Sequence, residues 1–356
     1  SLCTQNLTDP TIADGSTAMD VALWTGTGSS RSITGYNFSP DWVWIKQRNS
    51  SSNYHNLFDV VRGTTKALYS NDTLSEQTNA NTLSAFNSDG FTVGTDGAVN
   101  GSSGSYVGWA WDGGTSTASN TDGSVTTSVR ANQSAGFSIV TFNSGSSDGD
   151  FTCGHGLNAA PELILMKSRS RNGGPWWVFH RSVTDATTKY LQLSTTGALI
   201  TNSGGNIWGS SLPTSSVFGF SVGAGKAHTQ SETVVSYCFA PVEGYSAFGS
   251  YTGNGSSDGP FVFTGHKVKW LMVKRTDSSE PWWIWDVPRS TAAPGNPMNA
   301  LLRANGSDQE YAPDTAVDSL SNGFKPRSSS GNVNASGGTY IYAAFAEHPF
   351  KTARAR

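Results

Sequence analysis

The chain has 356 residues, with 23 Lys and Arg against 26 Asp and Glu and a formal net charge of −3. That near-neutral balance, with no basic stripe, excludes the electrostatic footprint that nucleic acid demands. Only 14% of residues are charged while 11% are aromatic, with 12 Trp and 40 Gly. This excludes a disordered chain and suits many short strands joined by tight polar turns.

In chain order, residues 1–18 carry Pro10 and Gly15 without periodicity and read as an extended arm or linker. Residues 19–113 form a first unit built around Trp42-Val43-Trp44-Ile45-Lys46-Gln47-Arg48 and closing on Tyr106-Val107-Gly108-Trp109-Ala110-Trp111. Residues 114–134 are a Ser/Thr-rich joint with one short strand expected from Ser124 to Val129. Residues 135–240 form a second unit. Phe137 to Phe142 alternates with period two, Leu163-Ile164-Leu165-Met166-Lys167-Ser168-Arg169 matches the first unit's central strand, and Val235 to Ala240 closes it. Residues 241–356 form a third unit with Trp270-Leu271-Met272-Val273-Lys274-Arg275, a closing strand from Tyr340 to Ala346, and a basic tail of Lys351, Arg354 and Arg356. The only helix-like stretches are Leu57 to Lys66 and Thr291 to Ala304, and Pro294 and Pro297 weaken the second. No run reaches 18 apolar residues, so no membrane insertion is expected.

The units are copies. Lys46 and Lys167 are 121 residues apart, and Lys167 and Lys274 are 107 apart. That period is a small domain rather than a solenoid repeat. Gly145-Ser146-Ser147-Asp148-Gly149 recurs as Gly255-Ser256-Ser257-Asp258-Gly259. Pro175-Trp176-Trp177 recurs as Pro281-Trp282-Trp283, followed by Trp285, where the first unit has Tyr54-His55-Asn56. The central strands are continuously apolar up to the Lys, which implies burial on both faces. Each unit therefore reads as a sandwich of two antiparallel sheets, jelly-roll or lectin-like, in an all-β chain of three tandem units.

Little in the chain reads as chemistry. The strand-end residues Lys46, Arg48, Lys167, Arg169, Lys274 and Arg275 suit an anion site. Their recurrence in every unit favours an architectural role, with the charges at the rim of each strand. Within Trp176-Trp177 and Trp282-Trp283, neighbouring side chains face opposite sides of a strand. One ring should fill the core, and the other, like Trp285 a packing or glycan-stacking candidate, should meet a neighbouring unit, another subunit or a sugar. Asp148 and Asp150 flank a Gly in a turn and are weak calcium candidates. Cys153 and Cys238 lie in expected strands of the second unit, where they can pair or stay as buried thiols; with Cys3 the count is odd, against a disulfide framework. The six His form no zinc pair, and no nucleophile elbow or phosphate loop occurs. Neither an enzymatic activity nor a cofactor is expected.

Pro40 to Arg48, Leu57 to Gly63, Leu68 to Asn71, Phe86 to Phe91 and Tyr106 to Trp111 together resemble a repeat of marine bacteriophage virion proteins, those of cyanophages and pelagiphages. Tyr340 to Glu347 followed by Pro349-Phe350 is similar to that family's usual ending. The second and third units keep the strands but lose the Pro-Asp and Arg-Gly steps. The resemblance implies a structural protein of the virion surface: a tail-fibre-like protein, spike, appendage or capsid decoration, and supplies no catalytic residues. It implies packing against itself as a homo-oligomer, a trimer by analogy, contact with other virion proteins, and attachment to a host surface glycan. The alternative is a lectin-like module or a depolymerase of host glycans.

Overall fold

The computed structural model describes residues 9–183, 185–292, 296–312 and 316–352. The first unit contains β1 (Met19–Thr25), β2 (Arg31–Thr34), β3 (Trp42–Gln47), β4 (Asn56–Asp59), β5 (Lys66–Tyr69), β6 (Gln77–Thr78), β7 (Leu83–Asn87), β8 (Gly90–Val93), the one-turn helix α1 (Gly97–Asn100) and β9 (Ser105–Trp111). The second contains β10 (Thr117–Asn120), β11 (Thr127–Asn132), β12 (Phe137–Asn143), β13 (Gly149–Gly154), β14 (Leu163–Ser168), β15 (Trp176–His180), β16 (Lys189–Gln192), β17 (Ile200–Thr201), β18 (Val217–Val222) and β19 (Thr233–Phe239). The third contains β20 (Ser246–Thr252), β21 (Val262–Phe263), β22 (His266–Arg275), β23 (Trp282–Asp286), β24 (Leu302–Arg303), β25 (Val317–Leu320), β26 (Gly323–Pro326), α2 (Gly331–Asn334) and β27 (Thr339–Pro349).

The strands make three large and three small antiparallel sheets with one recurring order. The large sheets run β1-β9-β3-β4-β5-β6, then β12-β19-β14-β15-β16-β17, then β20-β27-β22-β23-β24. The small sheets run β2-β8-β7, β13-β18 and β21-β26-β25. Register fixes which residues correspond. Trp42, Leu163 and Trp270 face Trp111, Phe239 and Phe345 on one side, and Asp59, His180 and Asp286 on the other.

Period-two alternation explains why the central strands are apolar throughout. Val43 and Ile45 point into the first unit's own sandwich, with Phe91 and Val93 of β8. Trp42 and Trp44 point the other way, into a core shared with Tyr237 and Phe239 of the second unit and Trp270 and Phe345 of the third. Leu271 and Val273 likewise pack within the third unit, while Trp270 and Met272 join the shared core. The equivalent residues Trp111, Phe239 and Phe345 touch one another, with ring centroids 6.5, 5.7 and 5.8 Å apart. They mark a pseudo-threefold axis inside a single chain. Each aromatic pair adds about 0.5–1.5 kcal/mol beyond simple burial.

Four expectations change. The joint is a hairpin, β10–β11, that extends the second unit's large sheet through β11 and β12, instead of one short strand in a linker. The arm is docked: Ile12 is buried, and Gly15 lies so close to the Ala346 backbone that a Cβ there would come within 2.0 Å of its carbonyl oxygen. Leu57 to Lys66 is not a helix but β4, a turn and the start of β5. The described part of Thr291 to Ala304 is turn and strand; residues 293–295 lie outside the described residues. Among the described residues the α-helices are α1 and α2, at equivalent places and capped by Asp96 and Ser330, whose side chains accept from the Ala98 and Asn332 amides.

Candidate functional site

The repeated charges converge where the units meet. Lys46, Lys167 and Lys274 are fully buried rather than placed at the rim. Each ammonium donates to backbone carbonyls, one of them on a neighbouring unit, in the loop that follows β24, β5 or β16. Lys46 reaches Ser307 (3.0 Å), Lys167 reaches Thr73 (3.2 Å) and Lys274 reaches Thr196 (3.3 Å). Burial pushes all three ammoniums down, to about 8. The direction of contact is cyclic: the first unit reaches into the third, the third into the second, and the second into the first. Such head-to-tail contacts close a ring.

The first seam, between units one and two, carries a buried polar network. Arg169 binds Glu76 through two bonds of 2.9 Å, and the Glu76 amide donates to the Arg169 carbonyl (2.8 Å). Glu76 also accepts from Arg62 (3.0 Å), which pairs with fully buried Asp59; Asp59 accepts in turn from the Tyr237 hydroxyl (2.7 Å). Burial alone would raise the Glu76 carboxyl, but Arg169 and Arg62 outweigh it and hold it below its ordinary value. The second seam, between units one and three, repeats the design. Arg48 binds Glu310 (2.6 and 3.0 Å), Glu310 accepts from Arg289 (2.9 Å), and Arg289 pairs with Asp286, which accepts from the Trp109 indole (2.8 Å).

The third seam, between units two and three, has exchanged the whole network. His180 stands at the Asp59 position and Leu199 and Thr276 at those of Glu76 and Arg169. The backbone bond survives, from the Leu199 amide to the Thr276 carbonyl (2.8 Å). His180 donates through Nε2 to the Tyr342 carbonyl (3.1 Å) and accepts from the Ser182 amide on Nδ1; burial pushes its ring down to about 4, so it is neutral near pH 7. Arg275, expected to match Arg48 and Arg169, instead binds its own neighbour Asp277 (2.9 and 3.1 Å) outside the seam, because Thr276 holds the equivalent position.

The tryptophan pairs divide as strand geometry requires. Trp176 and Trp282 face the neighbouring unit, donating to the carbonyls of Tyr69 (2.7 Å) and Gln192 (3.0 Å). Trp177 packs on Tyr190 of its own unit. Trp283 meets Tyr311 edge to face and lies under the Arg303 guanidinium, and Trp285 joins the same third-unit core. All five rings are buried, so none offers a face to a sugar. The partner expected for the outward rings is another unit of the same chain.

Asp148 and Asp150 border a surface depression with Lys226. Asp150 accepts from the Ser221 hydroxyl (2.6 Å) and the Asn206 amide (3.1 Å), and Asp148 from Gln230 (2.9 Å). Among the described residues no group of three or more His, Cys, Asp or Glu is placed to hold a metal ion. Cys153 and Cys238 are buried free thiols, and burial pushes both upward. Cys3, Arg354 and Arg356 lie outside the described residues. Arg48 and Arg169 were candidates from sequence, but Asp59, Arg62, Glu76, Asp286, Arg289 and Glu310 were not singled out as site residues, although Asp59-Val60-Val61-Arg62 and Asp286-Val287-Pro288-Arg289 share a spacing.

This architecture defines an all-β protein of paired antiparallel sheets, with the large sheets closed around an aromatic axis. The chain belongs to the family described as a domain of unknown function, DUF7483, whose model matches residues 14–349. No curated protein and no solved structure matches the chain.

Proposed function

We propose that this chain is a structural component of a bacteriophage particle surface, a fibre, appendage or capsid decoration, that acts by non-covalent packing and attaches to a host surface. The observation that carries the reading is where the repeated chemistry goes. Lys46, Lys167 and Lys274, the Arg–Glu pairs and the inter-unit tryptophans are all committed to holding the units in a ring. What remains outward is mainly polar loops, with a few exposed apolar side chains such as Phe261 and Phe263, which suits display better than turnover. The resemblance of the first unit to marine phage virion proteins supports the same reading. Because the tryptophan faces are filled within one chain, association with further copies or other virion proteins uses the outer loops and sheet edges.

The test is to purify particles of the encoding phage on a density gradient, identify their proteins by mass spectrometry, and label them with antibody against this chain under the electron microscope. The expected result is label on the particle exterior. Recovery of the chain only in the soluble lysate would overturn the proposal.

A further inference from the structure

The three small sheets give an internal comparison. On their edge strands, Ile33, Phe151 and Val262 correspond, pairing with Phe91, Phe220 and Phe324. Their neighbours point outward. In the first unit these are Ser32 and Thr34, and in the second Asp150 and Thr152, the polar choice expected of a solvated edge. In the third they are Phe261 and Phe263, exposed at 49% and 63%. The fold does not require aromatics there, since two counterparts do without them. Exposed apolar surface rimmed by polar groups marks a binding site.

Phe263 also forms a wall of a cavity of about 260 Å³. Phe350 supplies further apolar surface, and Glu243, Thr11 and the Asp9–Lys351 ion pair supply the polar rim. Among the described residues Glu243 has no hydrogen-bond or ion-pair partner, so its carboxylate is open to accept. The volume lies just below the roughly 300–1,000 Å³ of pockets for drug-sized ligands, which fits a ligand of one ring. A flat aromatic beside acceptors and a hydroxyl is the surface that a pyranose needs: its C–H face lies on the ring and its hydroxyls donate to the carboxylate. Among the described residues that line it, two carboxylates against one ammonium disfavour an acidic sugar.

We propose that the third unit binds a neutral saccharide, with the pyranose face on Phe263 and its hydroxyls on Glu243 and Thr11. This rests on the attachment reading and names the chemistry of what is attached to.

The experiment is saturation-transfer NMR on the full chain with methyl glycosides of neutral hexoses and N-acetylhexosamines, and with glucuronate and sialic acid. Phe263→Thr installs the residue that the other two units already carry, so the fold should hold, as circular dichroism and the melting temperature would report. A neutral glycoside should receive saturation, Phe263→Thr should weaken it about ten-fold, the equivalent of roughly 1.4 kcal/mol, and Glu243→Gln should weaken it several-fold. Undiminished binding by Phe263→Thr would place the sugar elsewhere, overturning this site while leaving attachment intact. Transfer to no glycoside, preference for the acidic sugars, or dimers that Phe263→Thr converts to monomers would each overturn it too. Failure of the particle labelling, with sugar binding intact, would instead refute the virion reading alone.

Discussion

Arg62→Val should be among the most damaging single substitutions in this chain, although Arg62 sits on a short turn. Its guanidinium is fully buried and donates to Asp59, to Glu76 (3.0 Å), to the carbonyls of Leu57 (2.8 Å) and Lys66 (2.9 Å), and to the Tyr237 hydroxyl (3.2 Å). Removing it leaves the Asp59 carboxylate buried without its counter-charge. Breaking such a pair from one side costs about 3–5 kcal/mol. At roughly 2.1 cal/mol/K per residue, a chain of this length melts with an entropy near 0.75 kcal/mol/K, so the loss corresponds to about 4–7 °C. The third seam shows how to relieve it. Adding Asp59→His, Glu76→Leu, Arg169→Thr and Tyr237→Phe removes the stranded charges together and should recover most of the loss, since replacing a whole buried network by apolar groups is often near neutral. Differential scanning calorimetry of the two variants decides. A loss below about 1 kcal/mol for Arg62→Val, or a combined variant no better than the single one, would refute the reasoning.

Acid should open the third seam before the first, because neutral His180, held down at about 4, contributes stability that is lost as pH falls from about 6.5 toward 4. Glu76 and Glu310 are held below the ordinary carboxylate value by their arginines, so their contribution is present above about pH 4.5 and is lost as pH falls through that value and on through the lowered one. Hydrogen exchange at successively lower pH should accelerate at the Leu199 amide ahead of the Glu76 amide, and Glu76→Gln should abolish the dependence below about pH 4.5 at its own seam. Trp176→Phe strands the Tyr69 carbonyl, and a loss of about 1–3 kcal/mol is expected in urea denaturation. Cys153 and Cys238, buried and pushed toward the thiol form, should resist iodoacetamide in the folded chain and react once it is unfolded, as peptide mapping would show.

Much of the sandwich was legible because strand patterns are local. Trp42-Val43-Trp44-Ile45 cannot alternate polar and apolar when both its faces are covered, and both are. What covers the second face was not legible: the cover comes from strands of the other units, such as those of Phe137 and Tyr237, and contacts at that separation leave no period in the sequence. The lysines were misplaced for the same reason, since a strand-end Lys reads as solvated until a distant carbonyl such as Ser307 is brought to it. Arg275 misled because Lys274-Arg275 looks like Lys-x-Arg, and only the ladder shows that Thr276 takes the place of Arg169. The Phe261-Val262-Phe263 alternation is ordinary for a strand. It becomes informative only when register sets it beside Ser32-Ile33-Thr34.

A ring of three units written in one gene is free of a constraint that binds a trimer of identical chains. In a true trimer any substitution appears three times, so a contact cannot be traded at one interface alone. Here the third seam has exchanged its ions for Leu199, Thr276 and His180 while the other two kept theirs. Valency follows the same logic. A homotrimer would present three copies of the Phe263 surface around its axis, and this chain presents one. On the proposed reading, strength of adhesion is set by how many chains a particle carries and how they are spaced, because avidity grows with simultaneously engaged sites rather than with any single contact.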